Sequence, residues 1–236
     1  MRICGISDLH GNLEFTIEPC KVLCICGDIF PLKIQNHSKP CEKWFKNEFL
    51  PWCNDQPVEE ILLIAGNHDI FIERHSDKIK AMIRDFHELR PKVTYLQDEP
   101  YEYIDSDSGN VYVFYGTPWC HKFGDWAFML ESDETIFQHF KKMPDSIDIL
   151  LTHDAPYGIS DICAQDVWWN KHEHIGSLPL AEIVKERQPS ILLHGHLHTS
   201  NHEEEKLGET SVYNVSLLDE RYLMSFKPLY LDFNKN

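Results

Sequence analysis

The chain has 236 residues and carries 38 acidic against 22 basic side chains, for a formal net charge of −16. Hydrophobic residues at 42% and charged residues at 25% suit a folded protein and exclude global disorder. No apolar run approaches the roughly 20 residues that span a bilayer, and the acidic balance disfavours long duplex nucleic acid, which calls for a basic footprint.

Short runs rich in Ile, Val, Leu and Cys, bounded by Gly, Pro, Asn or Asp, predict buried strands at 2–7 and 22–26. Over 42–50 the spacing is helical, with Trp44, Phe45 and Phe49 on one side. A strand at 61–65 precedes a helix over 77–89, where Ile79, Met82, Ile83 and Phe86 share a face. The acidic stretch 105–110 reads as a hairpin turn before a strand at 111–115. Helices at 134–142 and 178–186 alternate with strands at 147–152, 191–194, 211–215 and 229–233, and 202–206 reads as a solvated loop. The alternation argues for α/β layers around a largely buried sheet. With no repeat or linker, residues 1–236 are expected to form one domain. Two segments, 116–133 and 154–176, fit no regular element. The first holds Trp119, His121, Phe123, Trp126 and Phe128, the second Tyr157, Trp168, Trp169, His172 and His174. Long loops of that composition are more often functional than idle.

Eight cysteines are too few for a disulfide scaffold. Cys4, Cys24 and Cys26 sit in apolar runs as small hydrophobes, and a thiolate zinc site from Cys20, Cys24 and Cys26 would lack a Cys-x-x-Cys pair. With no signal-peptide pattern over residues 1–10, the expected compartment is the reducing cytoplasm.

Chemistry collects just past the strand ends. Asp8 and His10 follow the first strand, Gly27-Asp28 the second and Gly66-Asn67-His68-Asp69 the third. His153-Asp154 follows the strand at 147–152, and Gly195-His196-Leu197-His198 the strand at 191–194. Singly, an Asp at such a place caps a turn and a His is a surface or core residue. Five clusters at five exits are hard to explain by chance, and such ends converge on one crevice in open α/β sheets. Carboxylate, imidazole and amide oxygen without thiolate suit Mn, Fe or Zn, with Mn favoured. Asp8 and His10, two apart, are expected to point the same way. Seven side chains, Asp8, His10, Asp28, Asn67, His153, His196 and His198, are too many for one ion and suit two divalent cations sharing a carboxylate. Their four positive charges would exceed the two negative charges of Asp8 and Asp28, lower the pKa of a bridging water and leave a positive pocket for an anion. That is the two-metal arrangement for in-line attack on phosphorus, with ions roughly 3.5–4 Å apart.

Asp8-x-His10, Gly27-Asp28, Gly66-Asn67-His68-Asp69, His153 and Gly195-His196-x-His198, in that order, resemble the complete motif set of the calcineurin-like metallophosphoesterases. The resemblance implies a four-layer αββα sandwich, two mixed β-sheets face to face with helices outside. It implies one metal on Asp8, His10, Asp28 and His198 and a second on Asn67, His153 and His196, with Asp28 bridging. It makes His68 no ligand but the catalytic residue, which contacts the scissile phosphate and protonates the leaving oxygen, a role that suits an imidazole. Tyr115-Gly116-Thr117-Pro118-Trp119, Asp125-Trp126-Ala127-Phe128 and Thr152-His153-Asp154-Ala155-Pro156-Tyr157-Gly158-Ile159 are similar to the metallophosphoesterase-domain subgroup. That narrower similarity implies phosphodiester hydrolysis, cyclic nucleotides included.

Protein Ser/Thr phosphatases of the superfamily carry Arg before Gly-Asn-His and an Asp-Arg pair after Gly-Asp; Ala65 and Ile29-Phe30-Pro31 stand in those places here. A dianionic monoester would lose its bidentate partners, so the expected substrate is a small phosphodiester or nucleotide. Substrate contacts are expected from Asn67, His68, Trp119 and His121. Trp119, Trp126, Trp168 and Trp169 offer faces for base stacking, or else pack the loops or line a homodimer contact. Phosphomonoesterase, nucleotide pyrophosphatase and nuclease activities would use the same site. A catalytically silent interaction scaffold is the reading of another class, and the full ligand set with His68 stands against it. Asp69 either orients His68 or caps the next turn, Asp154 supports its neighbour or a turn, His194 reads as a core histidine, and His172 as a loop residue within reach of substrate.

Overall fold

The computed structural model describes residues 1–86, 90–162, 174–199 and 202–235. Its strands are β1 (Arg2–Ile6), β2 (Cys20–Cys26), β3 (Val58–Ile64), β4 (Lys92–Tyr95), β5 (Glu99–Ile104), β6 (Val111–Thr117), β7 (Cys120–His121) and β8 (Met129–Leu130). They continue with β9 (Ile149–Thr152), β10 (Ile191–His194), β11 (Glu205–Leu207), β12 (Thr210–Asn214) and β13 (Leu229–Asp232). The helices are α1 (Ser38–Trp44), α2 (Leu50–Asn54), α3 (Ile70–Arg74), α4 (Ser76–Asp85), α5 (Asp133–Phe140) and α6 (Leu178–Arg187), and a π-helical turn, Phe45–Phe49, joins α1 to α2.

One sheet has the order β13-β1-β2-β3-β4 and the other β11-β12-β10-β9-β6-β5. Strands β1 to β4 run parallel, with β13 antiparallel on the edge. In the second sheet β12, β10, β9 and β6 run parallel, and β11 and β5 are antiparallel edges. Ile3, Cys24, Leu62 and Ile64 of the first sheet meet Phe114, Leu151 and Leu193 of the second in a buried layer between them. The alternate face of the first sheet, with Cys4, Leu23, Ile25 and Leu63, packs on Phe45, Phe49, Ile72 and Ile79. Leu150 and Leu192 of the second pack on Ile136, Phe140, Ile183 and Val184. Period-two strands buried on both faces require this four-layer arrangement, which is the one expected.

The helix expected over 42–50 is longer and carries a π turn, for a local reason. Pro51 has no N–H to give the carbonyl one turn earlier, and its ring crowds that position. Leu50 N–H instead bonds the Phe45 carbonyl, five residues back. α5 and α6 begin on Ser132 and Ser177, whose hydroxyls accept from Thr135 N–H and Leu180 N–H. All eight predicted strands form. The sequence reading missed β4, only four residues long, and β5, whose residues alternate in exposure with Tyr103 alone buried. β11 takes up 205–206 of the expected solvated loop, β7 and β8 pair within 116–133, and 154–176 is described only in part. The helix expected over 77–89 ends at Asp85, and 87–89 lie outside the described residues.

Phe114 is fully buried between the sheets. Phe114→Ala should lower the free energy of urea unfolding by about 3–5 kcal/mol; a loss below about 1 kcal/mol would mean that the sheets do not pack through this ring.

Candidate metal centre

The motif loops leave the carboxyl ends of β1, β2, β3, β9 and β10, so parallel strands of both sheets deliver to one end of the sandwich. The first two loops run side by side: Asp8 N–H donates to Gly27 O at 3.1 Å, and His10 N–H to Asp28 O at 2.9 Å. Asp8 and His10 do converge, but not by strand alternation. Both lie past β1 in the left-handed region, at φ 57° and 42°, as do Asp28 at 53° and His196 at 70°. Non-glycine residues rarely stay there without support, at about 1–3 kcal/mol each. Two glycines make the room: a Cβ on Gly66 would strike Asp28 Oδ1 and the His153 ring, and one on Gly195 would strike Ser7 and the Asp8 carboxylate.

Asp69 neither touches the His68 ring nor caps α3 with its side chain. Its buried carboxylate accepts from the N–H groups of Asp28 (2.8 Å), Ile29 (3.0 Å), Phe30 (3.3 Å) and Gly66 (2.8 Å), binding the β2 exit loop to the β3 exit loop. Burial and then the nearby Asp28 carboxylate push it up to about 7, against the pull of those donors. Both readings of Asp69 from the sequence give way to this role.

Around that anchor the ligand-type atoms gather. One group is Asp8, His10 and His198, another Asp8, Asp28 and His153, each with atoms within 4.8 Å of one another. Asp28 Oδ2 lies 3.7 Å from His10 Nε2 and 3.4 Å from His153 Nε2. Asn67 Oδ1 lies 2.9 Å from His153 Nε2 and 2.8 Å from His196 Nδ1. All seven candidate ligands are therefore brought together. Burial opposes ionisation of Asp8 and Asp28, yet the surrounding histidines hold both carboxyls well below their usual range. Burial also opposes charging His153, but Asp28 and Asp8 overcome it and raise His153 to about 10. His198 is raised likewise, by Asp8. Burial lowers His10 to about 4, and burial with the cationic His153 lowers His196 to about 4.

The donor set fits divalent cations on geometry. His153 Nδ1–H donates to Cys26 O at 2.7 Å and His198 Nδ1–H to Asp219 O at 3.0 Å, which turns each Nε2 toward a carboxylate. Backbone partners of this kind orient metal-binding imidazoles. Both ring nitrogens of His10 are buried without a hydrogen bond, and a cation would satisfy the unprotonated one.

His68 stands beside this cluster. Its N–H donates to Asp28 Oδ1 at 2.7 Å, its Nδ1–H to Gln35 Oε1 at 2.7 Å, and Trp126 packs on its ring at 4.5 Å. His121 gives its N–H and Nδ1–H to buried Asp154 at 3.1 and 2.7 Å, and Asp154 overrides burial to raise its pKa. Trp119 is turned elsewhere, with its indole N–H donating to Asp98 Oδ2 at 2.8 Å and its ring packed on Phe128 and His139. His194 is fully buried in β10, as a core histidine would be. Trp168, Trp169 and His172 lie outside the described residues. A surface cavity of about 1360 Å³ sits at the other end of the strands, lined by Arg2, Cys20, Lys21, Val58, Glu59 and Arg90. Lys21 is already paired there with Glu59 and Asp107.

Sequence reasoning missed Gln35, Ser216 and Tyr222, and named Phe123 only as one aromatic of the 116–133 loop. Ser216 Oγ donates to Asp8 Oδ2 at 2.7 Å, and Phe123 lies 5.1 Å from the His196 ring. Gln35, Ser216 and Tyr222 belong to no quoted motif, so only the fold reveals them.

Two facing mixed sheets with paired carboxylate–imidazole groups at their carboxyl ends define a metal-dependent phosphoester hydrolase. The family model of calcineurin-like phosphoesterases matches residues 1–200, and the chain belongs to that family. Metallophosphoesterase domain-containing protein 1 of Homo sapiens is 28% identical over 247 residues, covering 98% of this chain and 70% of the relative. Among solved structures, TT1561 of Thermus thermophilus matches with a TM-score of 0.58 at 14% identity, over 90% of this chain and 88% of that one. Phosphopantetheinyl hydrolase of Mycobacterium tuberculosis matches with a TM-score of 0.55 at 12% identity, over 93% and 90%. At such identities these two show the shared fold.

His153, raised to about 10, carries a proton near neutrality that a cation must displace, whereas His10 and His196 at about 4 do not. Mn²⁺ binding near pH 7.5 should release about one proton per chain, from His153, and weaken as pH falls. Calorimetry in buffers of different ionisation enthalpy measures this, and zero release would remove His153 from the ligand set. Asp69→Ala, which strands four backbone donors, should cost about 2–4 kcal/mol in urea unfolding.

Proposed function

We propose that this chain is a dinuclear phosphodiesterase acting on small diesters, linear or cyclic nucleotides among them. The observation that carries diester over monoester is the apolar filling beside the cluster. Ala65, Ile29 and Phe30 are fully buried, so these positions offer no guanidinium for the bidentate contacts a dianionic monoester uses. Asp8, His10, Asp28 and His198 would hold one cation and Asn67, His153 and His196 the other, with Asp28 between them and Mn²⁺ favoured. When bound, such a pair supplies Lewis acidity and a more acidic water.

The chain's own residues do the rest. His68, with Nδ1–H fixed on Gln35, presents Nε2; in its protonated form that atom gives its proton to the departing oxygen. Asp154 takes the Nδ1–H of His121 and favours the protonated ring, in which Nε2–H can donate to a phosphoryl oxygen. Cytoplasmic residence is supported by the seven cysteines found free among the described residues. No helix of the described residues is long and apolar enough to cross a membrane.

The deciding experiment compares bis(4-nitrophenyl) phosphate with 4-nitrophenyl phosphate, after chelation and again with Mn²⁺ restored. Metal-restored activity favouring the diester is expected; monoester preference would move the chain to the phosphatase reading with the same ligands. Asp28→Asn should bring hydrolysis to background, and wild-type turnover in that variant would overturn the site assignment. His68→Ala should lower kcat by about 10²–10⁴ on a diester with an alkoxide leaving group and by less on a nitrophenolate ester, which needs no proton. Equal losses on both would deny His68 the role of acid.

A further inference from the structure

The family match ends at residue 200, yet three residues in contact with the centre come from beyond it. Ser216 Oγ reaches Asp8, and the Asp219 carbonyl oxygen accepts from His198 Nδ1. Tyr222 sets its ring edge-on against His10 at 4.9 Å and against His198 at 5.1 Å. The turn bearing Tyr222 is firmly built. Asp219 Oδ1 accepts from Arg221 N–H at 2.9 Å and Leu223 N–H at 3.0 Å, while the Asp219 carbonyl that holds His198 also accepts from Tyr222 N–H at 2.8 Å. Tyr222 sits at φ 59°, a conformation that needs such support.

The Tyr222 ring nevertheless remains 42% exposed, beside Leu223 at 54% and Met224 at 37%. Two more exposed rings touch other histidines of the same cluster: Phe123, 51% exposed, lies on His196, and Trp126, 38% exposed, on His68. Uncovered apolar surface assembled on one polar centre marks a binding surface. On this turn the Arg221 guanidinium is paired with Asp219 Oδ2 at 3.1 Å.

We propose that Tyr222, on its Asp219-anchored turn, determines substrate specificity: with Phe123 and Trp126 it forms an aromatic rim that takes a planar substituent, a nucleobase or aryl ring, borne by the phosphoryl group's non-leaving oxygen. Aromatic faces stack on any base, so the rim selects planarity rather than base identity. The proposal rests on the phosphodiesterase reading for the reacting bond and adds the residue that chooses the substituent.

The test uses the full chain loaded with Mn²⁺ and two diesters with one leaving group, thymidine 5′-(4-nitrophenyl) phosphate and methyl 4-nitrophenyl phosphate. The ratio of their kcat/KM values reads the substituent alone. The wild-type ratio should favour the nucleoside ester. Tyr222→Ala should lower that ratio about tenfold, about 1.4 kcal/mol, mainly through KM, and Tyr222→Phe should keep it. An unchanged ratio in Tyr222→Ala, or none to lose in the wild type, overturns the proposal. Equal losses on both esters would instead assign Tyr222 to holding His10 and His198. Calorimetric binding of thymidine 5′-phosphate against methyl phosphate gives the same ratio without turnover. A chain that hydrolyses neither diester but prefers the nucleotide, and loses that preference in Tyr222→Ala, would overturn the diesterase reading and leave the rim standing.

Discussion

Asp8 and Asp28 are fully withdrawn from water, with carboxylate oxygens within 4.8 Å of each other. Like charges buried that closely are very costly unless positive charge stands beside them, and the centre is organised around that constraint. In this structure the compensating charge comes from His153, raised to about 10, which stands between Asn67 Oδ1 and the Cys26 carbonyl with both ring nitrogens placed to donate. Divalent cations would satisfy the same constraint with more charge in less space. His10, neutral and without a hydrogen bond, gains nothing from the protonated arrangement and would gain a partner from the metal-bound one.

Holding two repelling carboxylates still demands backbone that cannot relax away from them. Asp8, His10, Asp28 and His196 stay left-handed because each strand exit is tied to another: the β1 and β2 exits by paired N–H bonds, β2 to β3 through Asp69, and β10 to β1 through His196 N–H on Asp8. Four donors on one buried carboxylate are a structural device, and Asp69 itself brings a third acidic group near the pair. Its rise to about 7 shows the cost of that choice. The loops therefore contribute strain and repulsion, while the stability comes from the apolar layers beneath them.

The layers were legible because buried strands advertise themselves as apolar runs, and the ligands because each sits within a few residues of such a run's end. What the sequence hid has physical reasons. β5 is an edge strand whose exposed positions tolerate polar residues, so its composition resembles a loop. Asp8 and His10 were expected to converge by the period of the strand, but the strand ends at Ile6 and turn geometry does the aiming. Asp69 adjoins His68 in sequence, yet its partners are backbone groups, which no side-chain pattern records. Gln35 reaches His68 across 33 residues, and Tyr222 reaches His10 from the opposite end of the chain; only folding makes them neighbours.

Net charge and local chemistry bear on substrate choice in the same direction. A chain at −16 repels an approaching anion over about a Debye length, roughly 8 Å at physiological ionic strength, and repels a dianion about twice as strongly as a monoanion. Where Ser/Thr phosphatases of the superfamily carry arginine to reward a dianion, this chain has Ala65 and Ile29-Phe30-Pro31. Cations within the cluster would act at short range on either substrate, so they do not restore the dianion's advantage. As the proposed rim, the exposed rings of Phe123, Trp126 and Tyr222 would add affinity that does not depend on phosphate charge. On the proposed reading, a substrate with one negative charge and a flat apolar group would meet the weaker repulsion outside and the larger gain inside.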